Sequence, residues 1–226
     1  DVYKRQNLSE WANFRSTKSC TGWSSRGGQV RNAYAIDRTP GGSSSGSAVA
    51  VARSFCAGAI GTETDGSIVV PAAMNSLVGI KPTVGMVSRT GVIPISFSQD
   101  TAGPIAKTVT DASTILSVLM GHDPADSSSK DLKQGLARKF TQGFNRNALK
   151  GKRIGVVRNY SGFQGAVDKI FDEALCLMKE DGAEIVDDIS LPDQQTIRPH
   201  EIKVMRTEFK VSLNAYLAGS RNQNGI

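Results

Sequence analysis

One stretch limits the possible folds more than any other. Lys152-Arg-Ile-Gly-Val-Val-Arg158 reads as a short buried strand, and Ala166 to Asp181 then carries apolar residues at Val167, Ile170, Phe171, Ala174, Leu175 and Met178, a helical period. Gly182 stops that helix and Ala183 to Val186 reads as a second strand, so the segment forms one β-α-β unit. A further helix is expected from about Pro199 to Leu217, with Val204, Phe209, Leu213 and Leu217 on its inner side. An α/β fold follows, a mixed β-sheet covered by helices.

The 226 residues change character along their length. Up to about Asp123 they are crowded with Gly, Ser, Thr and small apolar side chains. From 123 to 150 they turn polar and basic, which reads as a surface connection carrying an amphipathic stretch from Leu132 to Phe140. The expected organisation is therefore one domain over 1–226, with a core at 1–122, a connection at 123–150 and an α/β portion at 151–226. In the first part, Ser47 to Cys56 reads as a helix of small residues. A short strand, Ala57 to Gly61, follows, and then a tight polar turn, Thr62-Glu-Thr-Asp-Gly-Ser67.

Composition excludes several classes of function. Hydrophobic residues at 39% and charged residues at 21% belong to a folded domain rather than a disordered tail. The longest apolar runs, Ala48 to Ala52 and Ile68 to Ala73, are far too short to cross a bilayer. The excess of 27 Lys and Arg over 21 Asp and Glu gives +6, yet these charges are scattered and aromatics are only 6%, so no nucleic-acid surface is expected. Three distant cysteines, Cys20, Cys56 and Cys176, and two histidines, His122 and His200, offer neither a zinc cage nor a disulfide framework. Unpaired cysteines suit the cytoplasm.

Two segments put hydroxyls and backbone N–H groups together: Gly41-Gly-Ser-Ser-Ser-Gly-Ser47, opening a helix, and Gly61-Thr-Glu-Thr-Asp-Gly-Ser-Ile68. Such turns can aim several donors at a developing oxyanion, with a serine beside them as nucleophile. A phosphate loop has the required glycine spacing at Gly41 and Gly46, but Ser47 and Ala48 stand where the lysine and the magnesium hydroxyl belong. A nucleophile elbow fits Gly42-Ser-Ser-Ser-Gly46, but Asp37-Arg-Thr-Pro40 is no buried strand, and either histidine lies in a polar, loop-like context. Taken alone, the motif also fits an ordinary turn.

The series of motifs decides the matter. Asn7-Leu-Ser-Glu-Trp11, the two segments above, the continuation Ile68-Val-Val-Pro-Ala72, Gly79-Ile-Lys-Pro-Thr-Val-Gly85 and Ser98-Gln-Asp-Thr-Ala-Gly-Pro-Ile105 occur in order. The chain thereby resembles the amidase signature family, and the likeness continues through Lys107-Thr-Val-Thr-Asp111 and Gly151-Lys-Arg-Ile-Gly-Val-Val157 to about Ala218. The resemblance implies the amidase signature fold, incomplete at both ends, and an amidohydrolase with a Ser-cisSer-Lys triad acting on a small-molecule amide without metal or organic cofactor. Ser67 matches the nucleophile, and Ser43, whose preceding peptide bond is cis in the family, matches the bridging serine. Thr64, Asp65, Gly66 and Ser67 match the oxyanion hole. The family's lysine base lies several tens of residues before the bridging serine, whereas Ser43 has 42 residues ahead of it and none of Lys4, Lys18 or Lys81 fits that context. The expectation is an internal fragment, inactive alone, whose stretch Asp1 to Gln6 does not look like what precedes the first motif in relatives. Asp65 stands where many members have Gly, so its charge must point away from the oxyanion. Val69 stands where many carry arginine, which leans toward a neutral substrate. A glutamyl-tRNA(Gln) amidotransferase component, feeding ammonia to a partner, and a binding module without turnover are the alternatives.

Overall fold

The computed structural model describes residues 21–24, 27–133, 135–142, 144–145 and 147–224; Asn7–Trp11, Lys4, Lys18 and Cys20 lie outside them. The chain divides into two compact units, residues 1–142 together with 205–226, and residues 143–204.

In the first unit a two-stranded antiparallel ribbon, β1 (Trp23–Ser24) and β2 (Gly28–Gln29), precedes α1 (Ser45–Ala52), β3 (Gly58–Glu63), α2 (Val69–Met74), β4 (Val78–Gly79), β5 (Thr101–Ala106), α3 (Val109–Leu119) and α4 (Leu136–Gln142). The central sheet has the order β3-β5-β4 and is antiparallel throughout. β5 is buried along its whole length. Alternation along it sorts the core into two layers. Ile105 points to Ala48, Ile68 and Ala72 of the α1 and α2 side, while Ala102 points to Leu116 of α3 and Val87, joined by Ile60 from β3. Pro104 sits in this middle strand, where a missing N–H is normally excluded. It is tolerated because only its carbonyl is used on the β4 side, accepting from the Ile80 N–H at 3.1 Å, and β4 stops at Gly79 where no return bond is available.

Local sequence explains the other ends. Thr108 caps α3 by accepting the Asp111 N–H at 3.0 Å while its hydroxyl donates to the Asp111 carboxylate at 2.7 Å, a reciprocal capping arrangement. The first helix begins at Ser45 and ends at Ala52, short of the expected Cys56, since Ser54 adopts φ +61. β3 runs two residues into the stretch read as turn, because Thr62 and Glu63 pair with Ala102 and Thr101. Within 123–133, Asp126 and Ser129 are buried.

The second unit holds β6 (Arg153–Val157), α5 (Gly165–Glu180) and β7 (Glu184–Ile189), with β6 and β7 parallel, so the chain contains both antiparallel and parallel sheets. Gly182, at φ +91, ends α5 as the sequence predicts. The last helix, α6 (Gln194–Asn224), belongs to both units and starts five residues before Pro199. Asp193 sets that start: its carboxylate accepts the Gln195 N–H at 3.0 Å and its carbonyl accepts from Thr196 and Ile197. Phe209 and Leu213 are half-buried on α6, but Val204 and Leu217 are exposed, so the inner face is rotated from the expected one. No helix among the described residues is long and apolar enough to cross a membrane.

Candidate active site

The Gly41–Ser47 loop lies against the turn that follows β3. The Ser44 N–H donates to the Ser67 carbonyl at 3.0 Å, which brings the two hydroxyl-bearing segments into one place. Ser43 and Ser67 are both buried, and the Gly42–Ser43 peptide bond is cis. Gly41 makes the approach possible. It has φ +67, and a Cβ there would sit 2.9 Å from the Cα of Pro71.

The remaining serines stitch the loop down. The Ser44 hydroxyl both donates to the Thr62 carbonyl and accepts the Thr62 N–H, each at 3.2 Å. Ser47 donates to the Ile60 carbonyl at 2.8 Å, and Ser45 donates to the Gly41 carbonyl. Gly61 is needed opposite them, because a Cβ would come 2.8 Å from the Ser44 Oγ. Two buried asparagines complete the support. Asn75 donates to the carbonyls of Pro40 and Pro71 at 2.8 Å each and accepts the Ala33 N–H at 3.0 Å. Asn32 donates to the Thr39 carbonyl at 3.1 Å and the Met74 carbonyl at 2.6 Å.

Buried carboxylates hold the 64–67 turn at both ends. Glu63 accepts the N–H groups of Ile68 at 2.7 Å and Val69 at 3.0 Å with one oxygen, so these two amides are committed to it. Asp100 accepts the Thr64 hydroxyl at 2.5 Å with Oδ1 and the N–H groups of Ile95 and Ser96 at 2.8 Å each with Oδ2. Burial pushes the Asp100 carboxyl up from its usual range, against the hydrogen bonds from Thr64, Ile95 and Ser96 and the charge of Arg89. Gly66 turns the chain at φ +76. Asp65 is exposed, and Val69 is exposed near it.

Arg89 and Asp126 form a charged wall nearby, 2.7 Å apart and largely buried. With Asp100, Val92, Pro94 and Phe97 they line a cavity of about 190 Å³. The hydrogen bond from Arg89 holds the Asp126 carboxyl well below the usual carboxylate range, despite burial.

The structure brings Ser43, Thr64, Asp65, Gly66 and Ser67 onto two adjoining segments of one unit. His122 and His200 are both exposed, and His122 Nδ1 lies 3.2 Å from the Ser129 hydroxyl within its own loop. Among the described residues no group of three or more His, Cys, Asp or Glu could hold a metal ion. Glu63, Asp100, Asn32 and Asn75 went unread in the sequence. The available signal was a carboxylate set inside a run of small or apolar residues, as in Gly61-Thr-Glu63 and Asp100-Thr-Ala-Gly103.

Ser43 and Ser67, both buried and carried by two adjoining glycine-rich segments, are the candidate groups of a serine-based site. The model of the family described as Amidase matches residues 3–224. The chain belongs to the amidase signature family. It is 42% identical to the protein named Probable amidase of Arabidopsis thaliana over 222 residues, 96% of this chain and 42% of that protein. It is 45% identical over 180 residues to a component of the glutamyl-tRNA(Gln) amidotransferase of Caulobacter vibrioides, 79% of this chain and 36% of that one. The native peptide amidase of Stenotrophomonas maltophilia superposes with a TM-score of 0.86 at 47% identity, covering 95% of this chain and 44% of that structure. The chain thus spans less than half the length of these relatives.

Proposed function

We propose that this chain carries the two serines and the oxyanion turn of an amidohydrolase that cleaves a carboxamide through a serine acyl-enzyme. Ser67 Oγ attacks the amide carbonyl. Its proton passes through Ser43 to a neutral lysine, which the reading places outside these 226 residues, and returns along the same path to the departing amine or ammonia. Water then releases the acid from the acyl-enzyme. With the Ile68 and Val69 amides committed to Glu63, the oxyanion donors of this scheme come from Thr64, Asp65, Gly66 and Ser67. The observation that supports the reading is the 3.0 Å hydrogen bond from the Ser44 N–H to the Ser67 carbonyl, which brings the loop bearing Ser43 against the turn bearing Ser67.

The substrate proposed is a small neutral amide. Val69 supplies no charge for a substrate carboxylate, and Arg89 is committed to Asp126. The high similarity to a peptide amidase makes peptide amides the first class to assay. In the protein that carries this chain, Ser67→Ala lowers amide turnover by about 10⁴-fold or more, the scale on which nucleophile removal acts, and leaves the melting temperature unchanged. Wild-type turnover in that variant overturns the assignment. The 226-residue chain by itself is expected to show no catalysis. Glutamine hydrolysis together with stable association with other proteins favours the amidotransferase reading.

A further inference from the structure

The antiparallel ladder of β3 and β5 ends at the pair Glu63–Thr101, and the next opposing residues are Thr64 and Asp100. There a side-chain hydrogen bond, Thr64 Oγ1 to Asp100 Oδ1 at 2.5 Å, continues the ladder. We infer that Asp100 is a positioning residue that sets the first residue of the 64–67 turn, and that Glu208 of α6 fixes the loop from which Asp100 acts. The inference rests on the assignment of Ser67 and its turn made above.

Three observations carry it. First, the carboxylate of Asp100 uses both oxygens, one on Thr64 and the other on the Ile95 and Ser96 amides, so its direction is fully determined. A carboxylate only accepts, so the Thr64 hydroxyl must donate to it, and the Thr64 side chain has one orientation. Second, the loop is closed on itself: the N–H groups of Gln99 and Asp100 donate to the Ser96 carbonyl at 2.9 and 2.8 Å. Third, Glu208 Oε2 accepts the Ser96 hydroxyl at 2.5 Å, the Ser98 N–H at 3.1 Å and the Ser98 hydroxyl at 2.9 Å. Burial pushes the Glu208 carboxyl up, but the hydrogen bonds from Ser96 and Ser98 together hold it below its usual range. Two carboxylates from distant parts of the chain thus converge on residues 95–100, and through Asp100 Oδ1 they reach the Thr64 side chain of the oxyanion turn. Catalytic donors misplaced by about 1 Å lose on the order of 10²-fold in rate, so a support of this kind acts on turnover rather than on affinity.

The test measures two rates in the intact protein: amide turnover, and phosphonylation of the Ser67 Oγ by a fluorophosphonate probe with loss of fluoride, mapped by peptide mass spectrometry. Asp100→Ala and Thr64→Val are each expected to slow both by about 10- to 100-fold with KM within about threefold. The double variant falls no further than the worse single one, because both remove the same link. Asp100→Asn keeps an acceptor for the two amides and turns its NH₂ to the Thr64 hydroxyl, which reverses its role, so this variant and Thr64→Ser recover to within about fivefold of wild type. Glu208→Gln gives a smaller loss, about threefold. Should Asp100→Ala not fold, the near-isosteric Thr64→Val carries the same reading. Losses that multiply in the double variant, or Ser67 labelled at the wild-type rate in all variants, overturn the inference and leave the nucleophile assignment standing. Wild-type probe on a different residue, or undiminished turnover in Ser67→Ala, overturns both.

Discussion

The two units of this chain bury their apolar residues to very different degrees. In the first, Ala48, Val51, Ile68, Ile105 and Leu116 are fully enclosed around β5, and polar groups such as Ser44, Asn75 and Thr101 are enclosed with them. In the second, the helix with the most regular apolar period, α5, has one buried residue, Leu175, while Val167, Ile170, Phe171 and Leu177 remain exposed. Its charges behave accordingly. Arg158 binds Asp172 and Asp187 at the surface, whereas Arg89 and Asp126 meet with their side chains 17% and 5% exposed. Within these 226 residues the helical period of α5 marks the element without setting how deeply it is enclosed. The small, hydroxyl-rich residues that carry no period build the tighter interior, because their backbones approach closely and their polar atoms find partners there.

The contrast can be broken or sharpened by paired substitutions. The largest effect is expected at Arg89→Ala, which strands a buried carboxylate and costs about 4 kcal/mol in denaturant unfolding, whereas Arg158→Ala at the surface leaves the midpoint unchanged. Equal effects at the two arginines remove the distinction. Next, Leu116→Ala empties a fully enclosed site and costs about 3 kcal/mol. Gly61→Ala, whose methyl would meet the Ser44 Oγ at 2.8 Å, costs roughly 2 kcal/mol. The smallest effects belong to the second unit: Ile170→Ser, at a residue 67% exposed, stays within about 0.5 kcal/mol of wild type.

Acid sharpens the same comparison through two carboxylates shifted in opposite directions. Asp126 is held low, chiefly by the Arg89 hydrogen bond, so its contribution is present above the ordinary carboxylate value near about 4 and is lost as pH falls through its folded value. Asp100 is raised by burial, so its contribution is complete below the ordinary value and declines as pH rises through the folded one. Urea midpoints across pH are expected to show a flattened acid limb in Asp126→Asn, and in Asp100→Asn a stability that gains on wild type as pH rises. The reverse slopes contradict the assignment of these environments.

Legibility varied with the kind of signal. The β-α-β unit was readable because strand, helix and Gly182 each carry a local pattern, and the structure differs from the reading at their ends by one to three residues. The start of α6 was misread at Pro199 because proline is a strong boundary mark, while the Asp193 cap that sets the true start is a single residue. β5 was not readable as a strand: Thr-Ala-Gly-Pro-Ile-Ala has no alternation of polarity when both faces are covered, and its Pro104 argues against a middle strand until the length of β4 is known. The two hydroxyl-rich segments were readable as motifs, but Glu63, Asp100 and Glu208 were not, since a carboxylate in the sequence carries no mark of the amide it will accept.

Sequence alone settled the elements whose causes are local, the chain's membership of a family through motifs in fixed order, and the candidate hydroxyls at Ser43 and Ser67. Tertiary structure decided which amides are already committed, which carboxylates are buried and in which direction their protonation is biased. Those properties depend on groups such as Thr64 with Asp100, or Ser96 with Glu208, that lie 36 and 112 residues apart. Hydrogen bonding and desolvation act over a few ångströms of space, and only the folded chain makes such distances short.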